Sequence, residues 1–298
     1  MRLLPGTKRV PLNDILGLDL LQFAPRLAEP RANVERIADI AAASRADLLL
    51  TPELSLTGYD VGDDAPHLAV PIELGTTLPG ATFSGIRTTL LLGLCERGED
   101  GVTYNAMAGV RDGLVRYRHR KLYLPTYGMF DEARFFGRGR DIAPWSMGAW
   151  KIGILICEDL WHPGLVYVLA AAGIQVLLVA AAAPGRGVWT EAEPHSESAA
   201  FASAANWERI IRSYALLYGI YVALANRTGV EGSCTFGGGS LIAAPDGQIV
   251  ARAPAQGDAT LHADLDLAEV RRARRPFSHT RDEDIDLMIR SLQRVTAA

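Results

Sequence analysis

Apolar residues recur along the chain with two spacings, which separate predicted strands from predicted helices. Short runs rich in apolar residues are typical of buried strands and cover residues 15–23, 47–54, 87–96, 150–157 and 174–182. Apolar positions three and four residues apart predict helices over 30–46, 162–173, 196–219 and, as a short amphipathic tail helix, 280–296. Strands that alternate with helices place the chain in the α/β class.

Two turn signals add antiparallel pairs to this pattern. The dipeptide Asp112-Gly113 predicts a hairpin over 103–121. The tripeptide Pro245-Asp246-Gly247 predicts a turn among the last strands, which lie within 220–229 and 233–253. Because hairpins pair antiparallel strands, we expect mixed sheets rather than purely parallel ones.

No shift in composition marks a domain boundary, and no internal repeat is visible. We therefore expect a single domain over 1–298, with a core at about 15–268 and a C-terminal tail at 269–298. Residues 60–86 contain scattered Pro and Gly residues, and their apolar residues have no regular spacing. They are interpreted as a loop with one short element at most.

One uncharged stretch, residues 165–183, approaches the length of a membrane span. Gly173 interrupts it, and Gln175 places a polar group near its middle. Its Ala/Leu-rich first half predicts a helix and its β-branched second half predicts a buried strand, so we expect no membrane contact. Pro5 and Lys8 break the N-terminal apolar residues, which argues against a signal peptide.

The composition excludes several classes of protein. The chain has 298 residues with Lys+Arg 30 against Asp+Glu 34, and 49% of its residues are hydrophobic, so it is neither disordered nor a dedicated nucleic-acid binder. Cys95, Cys157 and Cys234 form no CxxC pair, which argues against a disulfide framework or a thiolate zinc site and fits a reducing cytoplasm. No histidine spacing, phosphate loop or GxSxG motif is present, so we expect neither a metal nor a cofactor.

Three predicted strands end in residues that can carry chemistry. Glu53 ends one apolar run, Lys121 ends the hairpin, and Cys157 ends a third strand. Ligands gather at the carboxyl ends of strands in α/β sheets, where these groups would form a base, an oxyanion stabiliser and a nucleophile. Taken singly, each also has an ordinary interpretation: a buried small hydrophobe for the cysteine, and solvated edge residues for the glutamate and the lysine.

The sequence motifs around these residues are more specific than the residues alone. The stretches PELSLTGY, HRKLYLPTYGMFDEARFF and CEDLWHP occur in this order. Together they resemble the nitrilase superfamily of carbon-nitrogen hydrolases, and the resemblance extends over about 15–268. Within that superfamily, these motifs are similar to those of the glutamine amidohydrolase domain of glutamine-dependent NAD synthetases.

The resemblance implies a fold, a catalytic set and an assembly. The fold is a four-layer α-β-β-α sandwich with two mixed sheets, and homodimers or larger homo-oligomers form through the face that bears the long helices. The catalytic residues of the superfamily fall on Glu53, Lys121 and Cys157, and a second glutamate falls on Glu132. Candidate substrate-binding residues are Tyr127 in the lysine motif, Glu158 after the cysteine and Tyr59 in the first motif.

Two departures from the NAD synthetase branch bear on the substrate. The chain contains no SGGxDS-like phosphate loop, so we do not expect it to make NAD by itself. Ala183 stands before Pro184, where that branch tends to have a serine that binds glutamine. A pocket for a polar amino acid should keep its hydrogen-bond partners, so this change disfavours glutamine, although Arg186 could still contact a carboxylate.

The resulting hypothesis is hydrolysis of a small carboxamide to carboxylate and ammonia through a thioester on Cys157. Glu53 would move the protons, and Lys121 with the backbone N–H of Glu158 would hold the oxyanion. Glu132 would position the substrate or the lysine. The alternatives are a glutaminase subunit that supplies ammonia to a separate synthetase, a nitrilase acting on a C≡N group, and an inactive interaction scaffold. His119 and His162 lie close in sequence to the catalytic motifs and are kept as supporting candidates only.

Overall fold

The computed structural model describes residues 14–83, 85–128, 130–187, 189–190, 200–276 and 279–296. Its first strands are β1 (Ile15–Gln22), β2 (Leu48–Leu50), β3 (Thr89–Arg97), β4 (Thr103–Arg111), β5 (Leu114–Arg120), β6 (Trp145–Met147), β7 (Trp150–Ile156) and β8 (Val176–Ala181). The later strands are β9 (Trp189–Thr190), β10 (Ala200–Phe201), β11 (Tyr221–Asn226), β12 (Thr228–Glu231), β13 (Cys234–Gly237), β14 (Leu241–Ala243), β15 (Ile249–Arg252) and β16 (Ala259–Asp266). The helices are α1 (Pro30–Ala43), α2 (Ala65–Leu68), α3 (Glu132–Phe135), α4 (Pro163–Ala171), α5 (Ala202–Tyr218), α6 (Leu267–Arg274) and α7 (Ile285–Thr296).

Two six-stranded mixed sheets form the centre of the molecule. The first has the order β16-β1-β2-β3-β4-β5, with β1, β2 and β3 parallel and the other pairs antiparallel. The second has the order β15-β14-β11-β8-β7-β6, with β7, β8 and β11 parallel and the other pairs antiparallel. The expectation of mixed sheets is confirmed.

Alternate side chains of the first sheet face two different cores. Leu48 and Leu50 of β2 pack in one cluster with residues of β7, β8 and β11 in the second sheet. Leu49, between them, packs in another cluster with Val34 and Ile37 of α1. The period of two along the strand therefore places one face against the second sheet and the other face against a helix.

Helices also cover the outer side of the second sheet. Val166 and Leu169 of α4, and Ile211 and Ala215 of α5, are buried in the same cluster as the strands of that sheet. With α1 on the first sheet, the layers run helix, sheet, sheet, helix. This is the four-layer α-β-β-α sandwich that the resemblance implied.

One predicted strand is much shorter than its apolar run. The run at 47–54 forms a strand only over Leu48–Leu50. Beyond it, the hydroxyls of Thr51 and Ser55 donate to the carbonyl oxygens of Leu91 and Gly93, and the chain turns away from the ladder. The strand prediction extended too far here, because Pro52 has no N–H for the ladder and the hydroxyls of Thr51 and Ser55 bond the backbone of the neighbouring strand instead.

The long helix also differs from its prediction. The expected helix at 196–219 begins at Ala202, and Ala200–Phe201 pairs instead with β9. Residues 196–199 lie outside the described residues. The predicted stop at Gly219 is confirmed: this residue has a φ of +56° and ends α5 in the left-handed conformation that glycine adopts without steric cost.

The uncharged stretch 165–183 divides between α4 and β8, as its two halves predicted. None of the helices that the structure describes has the length and apolar content of a bilayer-spanning segment. Residues 1–13, which carry the signal-peptide expectation, lie outside the described residues. The loop at 60–86 contains a 3-10 turn, Gly62–Asp64, that leads into α2.

Candidate active site

Glu53 lies beyond the end of β2 and is fully buried. Its Oε1 accepts hydrogen bonds from Lys121 Nζ and from Asn105 Nδ2, each at 2.7 Å. Its Oε2 accepts the backbone N–H of Ala182 at 2.9 Å, and Ala182 follows β8 of the second sheet. The carboxylate therefore lies between the two sheets and is bonded to both.

Gly93 of β3 allows the turn that carries the glutamate to approach the sheet closely. A Cβ at this position would lie 2.4 Å from the carbonyl oxygen of Pro52 and 2.6 Å from the nitrogen of Leu54. The Gly93 N–H also donates to the hydroxyls of Thr51 and Ser55, each at 3.2 Å. A glycine on the neighbouring strand and two hydroxyls of the turn thus set the position of the Glu53 carboxylate.

Lys121 follows β5 and is fully buried. Its Nζ lies 2.7 Å from Oε1 of Glu53 and 2.7 Å from Oε1 of Glu132. Burial lowers the pKa of the ammonium, but Glu132 and Glu53 outweigh burial and raise the pKa well above its usual value. The lysine is therefore a fixed positive charge, as an oxyanion stabiliser requires.

Glu132 begins α3 and is buried beside the lysine. Its Oε1 also accepts the hydroxyl of Tyr59 at 2.5 Å. Burial raises the pKa of Glu132 to about 7; Lys121 opposes this effect and Glu53 adds to it. The structure thus brings together Glu53, Lys121 and Glu132, and places the Tyr59 hydroxyl against the same group.

Cys157 directly follows β7 and opens a 3-10 turn, Cys157–Trp161. Its φ is +48°, in the left-handed region that costs a non-glycine residue roughly 1–2 kcal/mol. Burial raises the pKa of the thiol well above its usual value, Glu53 raises it further, and Lys121 lowers it. Because the sulfur keeps its proton at neutral pH, it needs a neighbouring base before it can act as a nucleophile.

Tyr127 and Glu158 lie at the rim of the site. The Tyr127 hydroxyl donates to Oε2 of Glu158 at 2.7 Å, and the tyrosine is 53% exposed. Burial and the bond to Glu158 raise the pKa of Tyr127 to about 12, so its hydroxyl remains a donor. His162 Nε2 lies 3.8 Å from Oε1 of Glu158. Glu158 directly follows Cys157, so the Tyr127–Glu158 pair lies next to the cysteine.

Aromatic rings connect the buried site to this rim. The ring of Tyr59 lies edge-on to Phe130 and Phe236, with centroid distances of 6.2 and 5.8 Å. Tyr127 also lies edge-on to Phe130, and the Arg186 guanidinium lies 5.3 Å from the centroid of the Phe130 ring. The sequence interpretation missed both phenylalanines, because nothing in their spacing distinguishes them from core residues.

Sequence reasoning also missed Asn105, which donates to Glu53. Asn105 lies within β4, is buried and is followed by the apolar residues Ala106, Met107 and Ala108. An amide in an otherwise apolar buried strand must find a hydrogen-bond partner, and this is the signal that could have identified it. Its backbone carbonyl also accepts the N–H of Lys121 at 2.8 Å.

Comparison with known proteins assigns the family. A family model described as carbon-nitrogen hydrolase matches residues 20–275. The chain belongs to the carbon-nitrogen hydrolases. It is therefore a carbon-nitrogen hydrolase enzyme, and its fold is that of the nitrilase superfamily, as its motifs implied.

Individual relatives of this carbon-nitrogen hydrolase differ in length. It is 30% identical over 261 residues to a glutamine-dependent NAD(+) synthetase of Rhodobacter capsulatus, a match that covers 86% of this chain and 44% of the relative. It is 32% identical over 238 residues to a protein of Pseudomonas protegens named hydrolase in pqqF 5'region, covering 78% and 77%. The chain thus spans less than half the length of the synthetase.

A solved structure shares the fold of this carbon-nitrogen hydrolase. An amidase from Nesterenkonia sp. AN1 superimposes with a TM-score of 0.72 at 23% identity, covering 92% of this chain and 96% of that one. In that structure the acetamide moiety of fluoroacetamide is covalently added at the active-site cysteine. Among the residues described for the present chain, no group of three or more His, Cys, Asp or Glu could hold a metal ion.

Proposed function

We propose that this carbon-nitrogen hydrolase converts a small carboxamide to a carboxylate and ammonia through a thioester on Cys157. The observation that carries the proposal is the buried trio of Glu53, Lys121 and Glu132 beside a cysteine whose thiol responds to the charges of all three. A buried acid that is hydrogen-bonded to a fixed cation, next to a protonated thiol, is the arrangement that activates a nucleophile.

The first half of the reaction forms the thioester. The Cys157 sulfur attacks the amide carbon while Glu53 accepts the thiol proton. The negative oxygen that develops is held by the Lys121 ammonium and the backbone N–H of Glu158, and loss of one such donor costs roughly 3–4 kcal/mol. The tetrahedral intermediate then expels the amine, and Glu53 returns the proton to it so that ammonia leaves.

The second half regenerates the enzyme. Glu53, again unprotonated, accepts a proton from a water molecule that attacks the thioester carbon. The same two donors hold the second oxyanion. Its collapse breaks the C–S bond and releases the carboxylic acid, and Glu53 returns its proton to the departing sulfur, which restores the Cys157 thiol. Glu132 also accepts a hydrogen bond from the Lys121 ammonium, so the charge stays in place while Glu53 gains and loses its proton.

A second candidate function is favoured by the charges at the rim. The Glu158 carboxylate and the Arg186 guanidinium both lie close enough to Tyr127 to shift its pKa in opposite directions. Such a pair complements the ammonium and carboxylate groups of an amino acid, which suits a glutaminase subunit that supplies ammonia to a separate synthetase. Ala183 in place of the serine of the synthetase branch argues for a simpler amide.

Ammonia release from a panel of aliphatic carboxamides, L-glutamine and nitriles tests these candidates, with Cys157→Ala as the matched control. Turnover of simple amides that is lost in the variant supports the main proposal. Turnover of L-glutamine supports the glutaminase, and conversion of nitriles alone supports a nitrilase. Ammonia release that persists in Cys157→Ala contradicts the thioester mechanism.

We also propose that the chain forms a homodimer through the face that bears α5. Leu216 and Leu217 of this helix are 60% and 53% exposed, which is unusual for large apolar side chains that lie next to each other. Light scattering on the purified protein gives the mass directly. Replacement of both leucines by glutamate should convert the dimer to a monomer with an unchanged circular dichroism spectrum.

A further inference from the structure

Asp159 is a fully buried carboxylate that the proposed reaction does not use. Its Oδ1 accepts the backbone N–H groups of Leu122 at 3.0 Å and Tyr123 at 2.8 Å. Its Oδ2 accepts the backbone N–H of Ile156 at 3.2 Å. All three donors are main-chain groups, so the carboxylate holds backbone rather than another side chain.

These three bonds join segments that come from different sheets. Leu122 directly follows Lys121, beyond the end of β5 in the first sheet. Ile156 ends β7 in the second sheet and directly precedes Cys157. A single side chain therefore links the backbone beside the ammonium to the backbone beside the nucleophile, and Asp159 belongs to the same turn as the cysteine.

The left-handed backbone of Cys157 requires a restraint of this kind. A non-glycine residue remains at a φ of +48° only where the surrounding structure opposes its relaxation. The bond from the Ile156 N–H to Asp159 closes the turn across the cysteine. The two bonds to the lysine segment anchor the aspartate from the other side, so the turn cannot unwind without losing all three bonds.

The donor set also explains why an acid is present rather than an amide. Three N–H groups converge on the two oxygens of the side chain, and a carboxylate accepts at both. An asparagine would present an NH₂ group to at least one of these donors. His119 Nε2 lies 3.6 Å from Oδ2, which is too far for a hydrogen bond.

We propose that Asp159 is a positioning residue that sets the separation of Lys121 and Cys157 and maintains the strained turn of the nucleophile. The proposal rests on the proposed function, because it assigns Asp159 through the roles of those two residues. Both oxygens of Asp159 are engaged by backbone N–H groups rather than directed at a reacting group. Its effect is on the placement of the sulfur and the ammonium, to which attack on a carbonyl carbon is sensitive.

Alkylation of Cys157 by iodoacetamide, followed by peptide mass spectrometry, tests this role without a known substrate. Asp159→Asn is expected to slow the labelling of Cys157 by about tenfold or more, since a misplacement of about 1 Å has effects of this size. The matched control is Glu96→Gln. Glu96 is also a buried carboxylate, and among the described residues its hydrogen bonds come from the side chains of Arg118 and Arg120 rather than from the backbone next to Cys157. Labelling in the control should stay within about twofold of the wild-type rate, because the turn that carries Cys157 keeps its three bonds to Asp159.

The outcomes separate this proposal from the proposed function. Asp159→Asn that unfolds cooperatively but labels at the wild-type rate overturns the positioning role. Wild-type Cys157 that reacts no faster than Cys95 or Cys234 contradicts the proposed function, while the ratio between Asp159→Asn and wild type still reports on Asp159.

A measurement on the wild-type protein covers the case in which Asp159→Asn does not fold. Residue-resolved hydrogen exchange should show slow exchange for the N–H groups of Leu122, Tyr123 and Ile156, as protected as those of the neighbouring strands. Exchange of the Leu122 and Tyr123 amides at the rate of exposed loops would mean that these bonds are not maintained, and it would overturn the proposal.

Discussion

The Nζ of Lys121 lies 2.7 Å from Oε1 of Glu132, the same distance as from Oε1 of Glu53. One cation therefore serves two buried carboxylates, and it can neutralise only one full negative charge. Burial is the main cause that raises the pKa of Glu132 to about 7, so the second charge appears near neutral pH. The state of Glu132 decides how strongly the lysine is drawn to the catalytic base.

The activity of the wild-type enzyme should rise as the pH increases through about 7, and the Glu132→Gln variant should not show this rise. Above this pH, ionised Glu132 and Glu53 share the positive charge of Lys121, so Glu53 accepts a proton more readily. Below this pH, Glu132 is protonated and the ammonium pairs with Glu53 alone. The amide imitates the protonated form at every pH, so the variant should be at least about tenfold slower at high pH. Rates of ammonia release between about pH 5 and about pH 9 check this. If Glu132→Gln still shows the rise in activity near neutral pH, another group causes that rise.

The stability of the protein should also depend on the protonation of Glu132, but it should fall, rather than rise, as the pH increases. Because the folded-state pKa of Glu132 is raised from 4.5 to about 7, the folded protein binds the proton more tightly than the unfolded chain. Its contribution is complete below 4.5 and is lost as the pH rises through about 7, a loss of about 3 kcal/mol. The free energy of unfolding, measured with urea below and above this pH range, should decline less for Glu132→Gln than for the wild type. Equal declines would mean that the proton is not held at this residue.

Iodoacetamide should label Cys157 well before Cys95. Cys95 is fully buried, burial raises the pKa of its thiol to about 12, and its hydrogen-bond partner is the Thr57 hydroxyl, which is not a base. The pKa of Cys157 is also raised, but Glu53 is available to accept its proton. Time-resolved mass spectrometry of the three cysteine peptides measures the order. Simultaneous labelling only after denaturation would favour the inactive scaffold.

Asn105→Ala should weaken the catalytic base. Its Nδ2 donates to Oε1 of Glu53 at 2.7 Å, and a hydrogen bond to a charged group contributes about 1.5–3 kcal/mol. We expect a fall in kcat/KM of about tenfold to a hundredfold, which is the loss of that bond expressed as a rate. An unchanged kcat/KM with reduced stability would indicate a purely structural asparagine.

Gly93→Ala should displace the catalytic turn. The added Cβ would lie 2.4 Å from the carbonyl oxygen of Pro52, which is backbone and cannot rotate away. Overpacking of this kind costs roughly 1–3 kcal/mol, and activity should fall by more than the loss of folded protein explains. Gly164→Ala in α4 is the matched control, since no atom lies within 4 Å of its Cβ, and it should be neutral or slightly stabilising. Equal melting temperatures for the two variants would contradict the crowding at Gly93.

Local signals along the chain were enough to predict the class of fold, most element positions and the candidate site residues. Apolar runs and turn residues predicted the hairpin at 103–121 and the division of 165–183 into a helix and a strand, because these signals are local. Glu53, Lys121 and Cys157 stood out at the ends of their predicted strands, and the surrounding motifs added Glu132. Such inferences need only the neighbours along the chain.

The way in which those residues meet depends on the packing of the two sheets. Period-two burial shows that a strand has a packed face but not which sheet it joins, so the sequence predicted one sheet edge, whereas Glu53 and Cys157 come from different sheets. The left-handed turn at Cys157 and the partners of Asn105 and Asp159 depend on groups that are distant along the chain. Hydrogen bonds between distant segments leave no periodic trace, and for that reason the packing of the two sheets had to be seen.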